Sequence, residues 1–248
     1  MDNLKGVVLA GGLGKRLGPL TKITNKHLLP VYDKPMVYYP IAQLAEAGVK
    51  DILVVTGGNH AGEFLRLLGD GRQFGLTHLN YAYQEGEGGI AQALDLAKHF
   101  AADHRIIVAL GDNIFEKSLK PYVDHFRKQK TGARVLLKKV PDPERFGVAD
   151  LDGKKIVSIT EKPKKPKSDL AVTGVYMYDE RVFDIIRTLK PSARGELEIT
   201  DVNNAYLRRG GLEYDVLKGW WTDSGTFDSL LRANLLVGQK SQARSLQK

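Results

Sequence analysis

The chain has 248 residues, 42% of them hydrophobic, no cysteine and a formal net charge of +8. That length builds one large core or two closely joined ones, and the missing cysteines exclude disulfides and thiolate metal sites. No apolar run reaches the roughly 18 residues of a membrane helix, and the first residues lack the apolar stretch of a secretion signal, so a soluble cytoplasmic protein is expected. The basic residues are scattered, and the densest cluster, Lys162 to Lys167, is broken by Pro163 and Pro166. This reads as a solvated surface or as attraction for a small anionic substrate, not as the one-sided patch of a nucleic-acid binder.

Lys5–Ala10 is an apolar, β-branched run that stops at Gly11-Gly12, the pattern of a parallel strand buried on both faces. Met36 to Ala47 has helical spacing and closes at Gly48. Asp51–Thr56 reads as a strand, Ala61–Leu68 as a helix, Thr77–Tyr83 as a strand, Ile90–Phe100 as a helix and Arg105–Leu110 as a strand. Farther on, Arg134–Val140, Gly147–Asp150, Ile156–Thr160 and Ala171–Tyr178 read as strands, with Asp152-Gly153 as a hairpin turn. Helices are predicted over Arg181–Leu189, Glu198–Arg208 and Thr226–Val237, and a frayed polar tail over 241–248. The alternation predicts an α/β fold: a single Rossmann-like domain over 1–240, its mixed, mostly parallel sheet flanked by helices. Its cleft belongs beyond the C-terminal ends of the parallel strands.

After the first strand comes Gly11-Gly12-Leu13-Gly14-Lys15-Arg16-Leu17. Glycines there let backbone N–H groups turn toward a phosphate. Leu17 stands where the dinucleotide fingerprint started at Gly12 needs glycine, and Arg16 stands where a Walker loop needs Ser or Thr. The loop is therefore a phosphate loop of another type. Asp112, after Leu110-Gly111, and Asp223, within Trp220-Trp221-Thr222-Asp223-Ser224-Gly225, are separate carboxylates of the hard-oxygen kind that suits Mg2+. Taken singly, each also reads as a helix cap or turn residue. The six histidines form no His-x-x-x-His cluster, which argues against zinc.

Read onward, Gly11–Arg16 leads into Leu17-Gly18-Pro19-Leu20-Thr21 and Asn25-Lys26-His27-Leu28-Leu29-Pro30-Val31. Further strings are Asp142-Pro-Glu-Arg-Phe-Gly-Val148, Glu161-Lys162-Pro163, Ala171-Val-Thr-Gly174 and Pro191–Asp201. In this order they resemble the sugar nucleotidyltransferases, and within them the glucose-1-phosphate thymidylyltransferases, from about residue 5 to about 237. The resemblance implies that Arg16 and Lys26 hold a triphosphate and that Asp112 and Asp223 hold a catalytic Mg2+. It implies a nucleotide side, about 1–115, built from Leu9, Gly11, Gly12, Gly14, Lys15, Arg16, Gln84, Gly89 and Asp112. It implies a sugar-phosphate side, about 116–240, built from Asn113, Gly147, Glu161, Lys162, Val172 and Arg194. The residue chemistry agrees in type: an amide for a base edge, a carboxylate for sugar hydroxyls, two cations for a phosphate. Alone, Glu161 reads as a surface glutamate and Arg194 as a surface ion-pair residue.

The implied reaction joins dTTP, or UTP, to glucose 1-phosphate in a homo-oligomer, a dimer or tetramer, that serves dTDP-rhamnose and cell-surface polysaccharide synthesis. The Gln84 amide matches the carbonyl and N–H of thymine or uracil, and flipped it would also suit cytosine. Rival readings are UTP, CTP or another hexose phosphate, a non-catalytic nucleotide-sugar regulator, and a nucleic-acid binder supported by charge alone. The sequence departs from the family pattern at Lys15, Gly18 and Gly57-Gly58-Asn59-His60. It also reads as a short form without the helical tail that longer members carry.

Overall fold

The computed structural model describes residues 4–245. Four strands form the parallel heart of the sheet: β1 (Lys5–Ala10), β4 (Asp51–Gly57), β5 (His78–Gln84) and β6 (Ile106–Leu110), in the order β5-β4-β1-β6. The short strands β2 (Pro30–Val31) and β3 (Lys34–Pro35) pair with each other after the glycine loop. Strands β1, β4 and β6 are almost wholly buried because helices cover both faces. On one face lie α1 (Tyr38–Glu46), α2 (Ala61–Leu68) and α5 (Lys120–Lys128), through Ile41, Leu44, Phe64, Leu68, Val123 and Phe126. On the other lie α3 (Ile90–Asp95), α6 (Val182–Ile186) and α7 (Ile199–Arg208), with the short α4 (Lys98–Ala101) after α3.

The second half adds β7 (Asn113–Phe115), β8 (Ala133–Lys139), β9 (Gly147–Asp152), β10 (Lys155–Glu161), β11 (Leu170–Tyr178), β12 (Leu212–Val216) and β13 (Trp221–Asp223). Strand β11 is the joint. Along one edge it pairs antiparallel with β8. Its other edge is shared: Val175–Tyr178 pair with β6, whereas Ala171 pairs with Val148 of β9. The sheet therefore forks between Ala171 and Val175, and the chain leaving β6 and the chain entering β9 diverge there. Such a gap between strand ends is where an open α/β sheet takes a ligand.

Several boundaries differ from the sequence reading. The helix predicted over 90–100 is two short helices, α3 and α4. The hairpin loop is Gly153-Lys154, since Asp152 already pairs with Lys155, and Gly153 supplies the left-handed φ of 57°. The tail predicted to fray from 241 is helical as far as the description goes: α8 runs Phe227–Ser245. Buried Val237 ends its apolar face, but Lys240 lies 6.0 Å over the Trp220 ring and holds the next turn down. The rest of that predicted tail, 246–248, lies outside the described residues. Helix α5 and strands β2, β3, β7, β12 and β13 were not anticipated.

Candidate active site

The fork opens into a cleft of about 370 Å³. Strand ends supply one wall: Leu9 near the end of β1, Gly11-Gly12 after it, Gln84 at the end of β5, Gly89 before α3, and Asp112 in the turn after β6. Gly147 at the start of β9, Glu161 at the end of β10, Lys162 after it, and Val172 and Gly174 of β11 form the opposite wall. Arg16, Lys26, Asn113 and Asp223 lie between them. Of the residues predicted from sequence, Gly14, Lys15 and Arg194 do not line the cleft. Gly14 instead shapes the loop, with φ of 67° and no room for a Cβ beside Lys26 and Thr21. Lys15 is at the surface, 2.5 Å from Glu87 of the facing loop. Arg194 is at the rim, held by Glu198 at 2.8 and 3.2 Å and reaching Glu161 at 3.5 Å.

The charged centre is built from two ion pairs. Lys26 Nζ donates to Asp112 Oδ2 at 2.5 Å, with each side chain 13% exposed. Burial pushes the Asp112 carboxyl up, but Lys26 and His27 and the hydrogen bonds from Lys26 and Asn113 outweigh it, so the group titrates well below the ordinary range. Beside Lys26, His27 is driven down to about 3, first by burial and then by the Lys26 charge, so this ring is neutral. Asp223 faces Arg145, whose Nη2 lies 3.0 and 3.1 Å from its two oxygens while Nη1 reaches Asp142 at 2.7 Å. Two short strands bring the aspartates together: β7 and β13 pair antiparallel with Asp223 opposite Asn113, the residue after Asp112.

On the opposite wall, Thr200 Oγ1 donates to Glu161 Oε2 at 2.6 Å, leaving Glu161 Oε1 toward Lys162 and Arg194. Asn113 lines the cleft, yet its amide is engaged by protein. Its oxygen accepts from Gly174 N and Trp221 Nε1, and its nitrogen donates to Asp112.

A family model described as nucleotidyl transferase matches residues 5–240. The chain belongs to the nucleotidyl transferase family. Among curated relatives, the glucose-1-phosphate thymidylyltransferase of Neisseria meningitidis serogroup A is 47% identical over 238 residues, 94% of this chain and 82% of that protein. The one from Mycolicibacterium smegmatis is 49% identical over the same shares. A crystal structure from Bacillus anthracis, provisionally described as a glucose-1-phosphate thymidylyltransferase in complex with a sucrose, superposes with a TM-score of 0.90. It is 55% identical and covers 94% of each chain. A UDP-glucose pyrophosphorylase complexed with UDP-glucose shares the fold, with a TM-score of 0.84 at 24% identity over 95% of this chain and 98% of its own.

The transferase offers a divalent cation a pair of carboxylates. No cluster of three or more His, Cys, Asp or Glu able to hold a metal occurs among the described residues. Two hard-oxygen donors fit a Mg2+ that completes its shell with water and substrate phosphates. Sequence reasoning missed Arg145. It sits inside a string that carries the resemblance, but its partner Asp223 is distant in the chain and only the fold joins them. His27 was likewise quoted without a role. Its Nδ1 lies 2.8 Å from Asn25 Oδ1, which also accepts the His27 backbone N–H and so fixes the turn that carries Lys26.

Proposed function

We propose that this nucleotidyltransferase transfers a deoxythymidylyl group from dTTP to glucose 1-phosphate, releasing pyrophosphate. A phosphate oxygen of the sugar phosphate attacks the α-phosphorus, the bond to the β-phosphate oxygen breaks, and pyrophosphate takes that electron pair. The single observation that carries the reading is the convergence of Arg16 and Lys26 with Asp112 and Asp223 at the fork of the sheet, between two differently furnished walls. Phosphoryl-type transfer needs positioning and charge stabilisation more than a protein nucleophile, and this centre is built for both. Arg16 and Lys26 bind the triphosphate, and Gln84 and Gly89 receive the base. Glu161 accepts from sugar hydroxyls, and Lys162 and Arg194 hold the sugar phosphate. Asp112 and Asp223 would hold Mg2+, which when bound neutralises triphosphate charge and withdraws electrons from the departing group.

The thymidylyltransferase names of the relatives at 47% and 49% identity support the choice of nucleotide and sugar. No helix among the described residues is long and apolar enough to cross a membrane, in keeping with a cytoplasmic enzyme, and we read it as a homo-oligomer serving dTDP-sugar synthesis. The deciding experiment measures pyrophosphate release over a grid of dTTP, UTP, CTP and ATP against glucose, galactose and mannose 1-phosphates. The reading expects the highest kcat/KM for dTTP with glucose 1-phosphate, and a clear maximum elsewhere in the grid overturns it.

A further inference from the structure

The direction of the Gln84 amide decides what a base edge meets on the nucleotide side, since its nitrogen donates and its oxygen accepts. A backbone group fixes that direction. The Gly88 N–H can only donate, and its partner, 3.1 Å away, is the amide of Gln92. The Gln92 atom facing it is therefore oxygen. The same oxygen lies 3.0 Å from the Gln84 amide, so the atom of Gln84 that meets it is nitrogen. That nitrogen also points to the carbonyl of Gly89 at 3.4 Å. Both N–H groups of Gln84 are thus directed into protein, and its oxygen is left beside Gly11, where an added Cβ would lie 2.7 Å from it. Gln84 and Gly11 both line the cleft; Gln92 does not. The loop lies directly against the Gln92 amide, since a Cβ on Gly88 would come within 2.1 Å of its Cδ.

We infer that Gln92 of α3 is a positioning residue that holds the Gln84 carbonyl oxygen toward the base, so that the pocket selects bases offering a ring N–H. The inference rests on the nucleotide reading above and narrows it. Thymine and uracil present an N–H between two carbonyls, which the fixed oxygen accepts. Cytosine presents a bare ring nitrogen, and two lone pairs then face each other. The flip that would suit Gln84 to cytosine would set the oxygen of this buried side chain against the oxygens of Gln92 and Gly89, leaving it without a donor, while the Gln92 oxygen keeps only the Gly88 N–H. The amide therefore does not adapt as the sequence alone suggested.

The test is calorimetric binding of dTTP, UTP and dCTP with Mg2+ to the wild type, Gln92→Leu and Gln92→Glu, together with the KM for glucose 1-phosphate. The wild type is expected to favour dTTP and UTP over dCTP by on the order of tenfold or more. Gln92→Leu frees the Gln84 amide and should bring the ratio toward one, chiefly by better dCTP binding. Gln92→Glu offers acceptors alone to Gly88 and Gln84, so it should keep the wild-type ratio. The KM for glucose 1-phosphate should stay put in both. Equal wild-type affinity for dCTP and dTTP, with dTDP-glucose formation intact, overturns the inference and leaves the proposed reaction standing. So does a wild-type ratio in folded Gln92→Leu, or its loss in Gln92→Glu. A wild type that binds no nucleotide removes both.

Discussion

Asp223 stands opposite Asn113 in the β7–β13 ladder, and the amide of Asn113 binds that ladder to the sheet. Its oxygen accepts the Trp221 indole N–H at 2.7 Å and the Gly174 N–H at 3.0 Å, and its nitrogen donates to Asp112 at 2.9 Å. One buried side chain thus spans β7, β11 and β13. Asn113→Ala should leave two buried donors without partners, each costing roughly 1–3 kcal/mol. The expected result is a urea midpoint well below wild type, with kcat falling further than the KM for either substrate because both aspartates lose their frame. A wild-type midpoint would remove the bracing role.

Asp223→Asn is expected to separate stability from catalysis. Arg145 keeps Asp142 at 2.7 Å, so the fold should hold. Turnover should drop by on the order of 10²–10³, the usual cost of losing one preorganised charge partner. Manganese binding in the presence of dTTP, followed by electron paramagnetic resonance, should weaken in parallel. Full activity with unchanged manganese affinity would take Asp223 out of the reaction.

Acid should destabilise the protein earlier than its carboxylates require. His27 is held at about 3, below its ordinary 6.5, so between those values the unfolded chain binds a proton that the native state does not. Stability is therefore complete above about pH 6.5 and falls as pH drops, by up to about 1.4 kcal/mol per pH unit. Asp112, whose carboxyl is also held low, adds a loss of the same sign beginning near the ordinary aspartate value of about 4. Urea midpoints from about pH 7.5 to about pH 5 should trace the histidine part, and His27→Gln should flatten it. An unflattened slope would point to another buried base.

Arg194 is 40% exposed and clasped by Glu198. Arg194→Ala should raise the KM for glucose 1-phosphate roughly tenfold, at the lower end for a charge-assisted bond because water competes at the rim. The KM for dTTP should barely move. Equal rises in both would reassign the residue to the architecture of the loop.

The parallel strands were legible because burial on both faces leaves continuous apolar runs such as Lys5–Ala10 and Arg105–Leu110. The glycine loop was legible for the same local reason: its residues lie side by side in the chain. What stayed hidden depends on distant partners. Strands β7 and β13 have three residues each, too few for any period to show, and exist because they pair with one another. Helix α5 carries Pro121 and many charges, and its apolar face toward the sheet is limited to Tyr122, Val123 and Phe126. Arg145 and Gln92 look ordinary in sequence. Their importance is relational, one through Asp223 and the other through Gln84.

The shared edge of β11 has a consequence for how the molecule breathes. Val175–Tyr178 bond to β6 under the wall that carries Leu9 and Gln84, Ala171 bonds to β9 under the wall that carries Gly147 and Glu161, and β8 covers the opposite edge. The β11–β8 register is irregular between Val172 and Tyr176, so a flexing point between the walls is confined to that short stretch, and Tyr176–Tyr178 stay paired on both edges. Amide protons of Val175 to Tyr178 should therefore exchange with solvent only when the entire chain unfolds. Substrates are expected to come and go with movement of the surface loops, those that carry Lys15 and Glu87 among them, over a frame whose central strands stay paired.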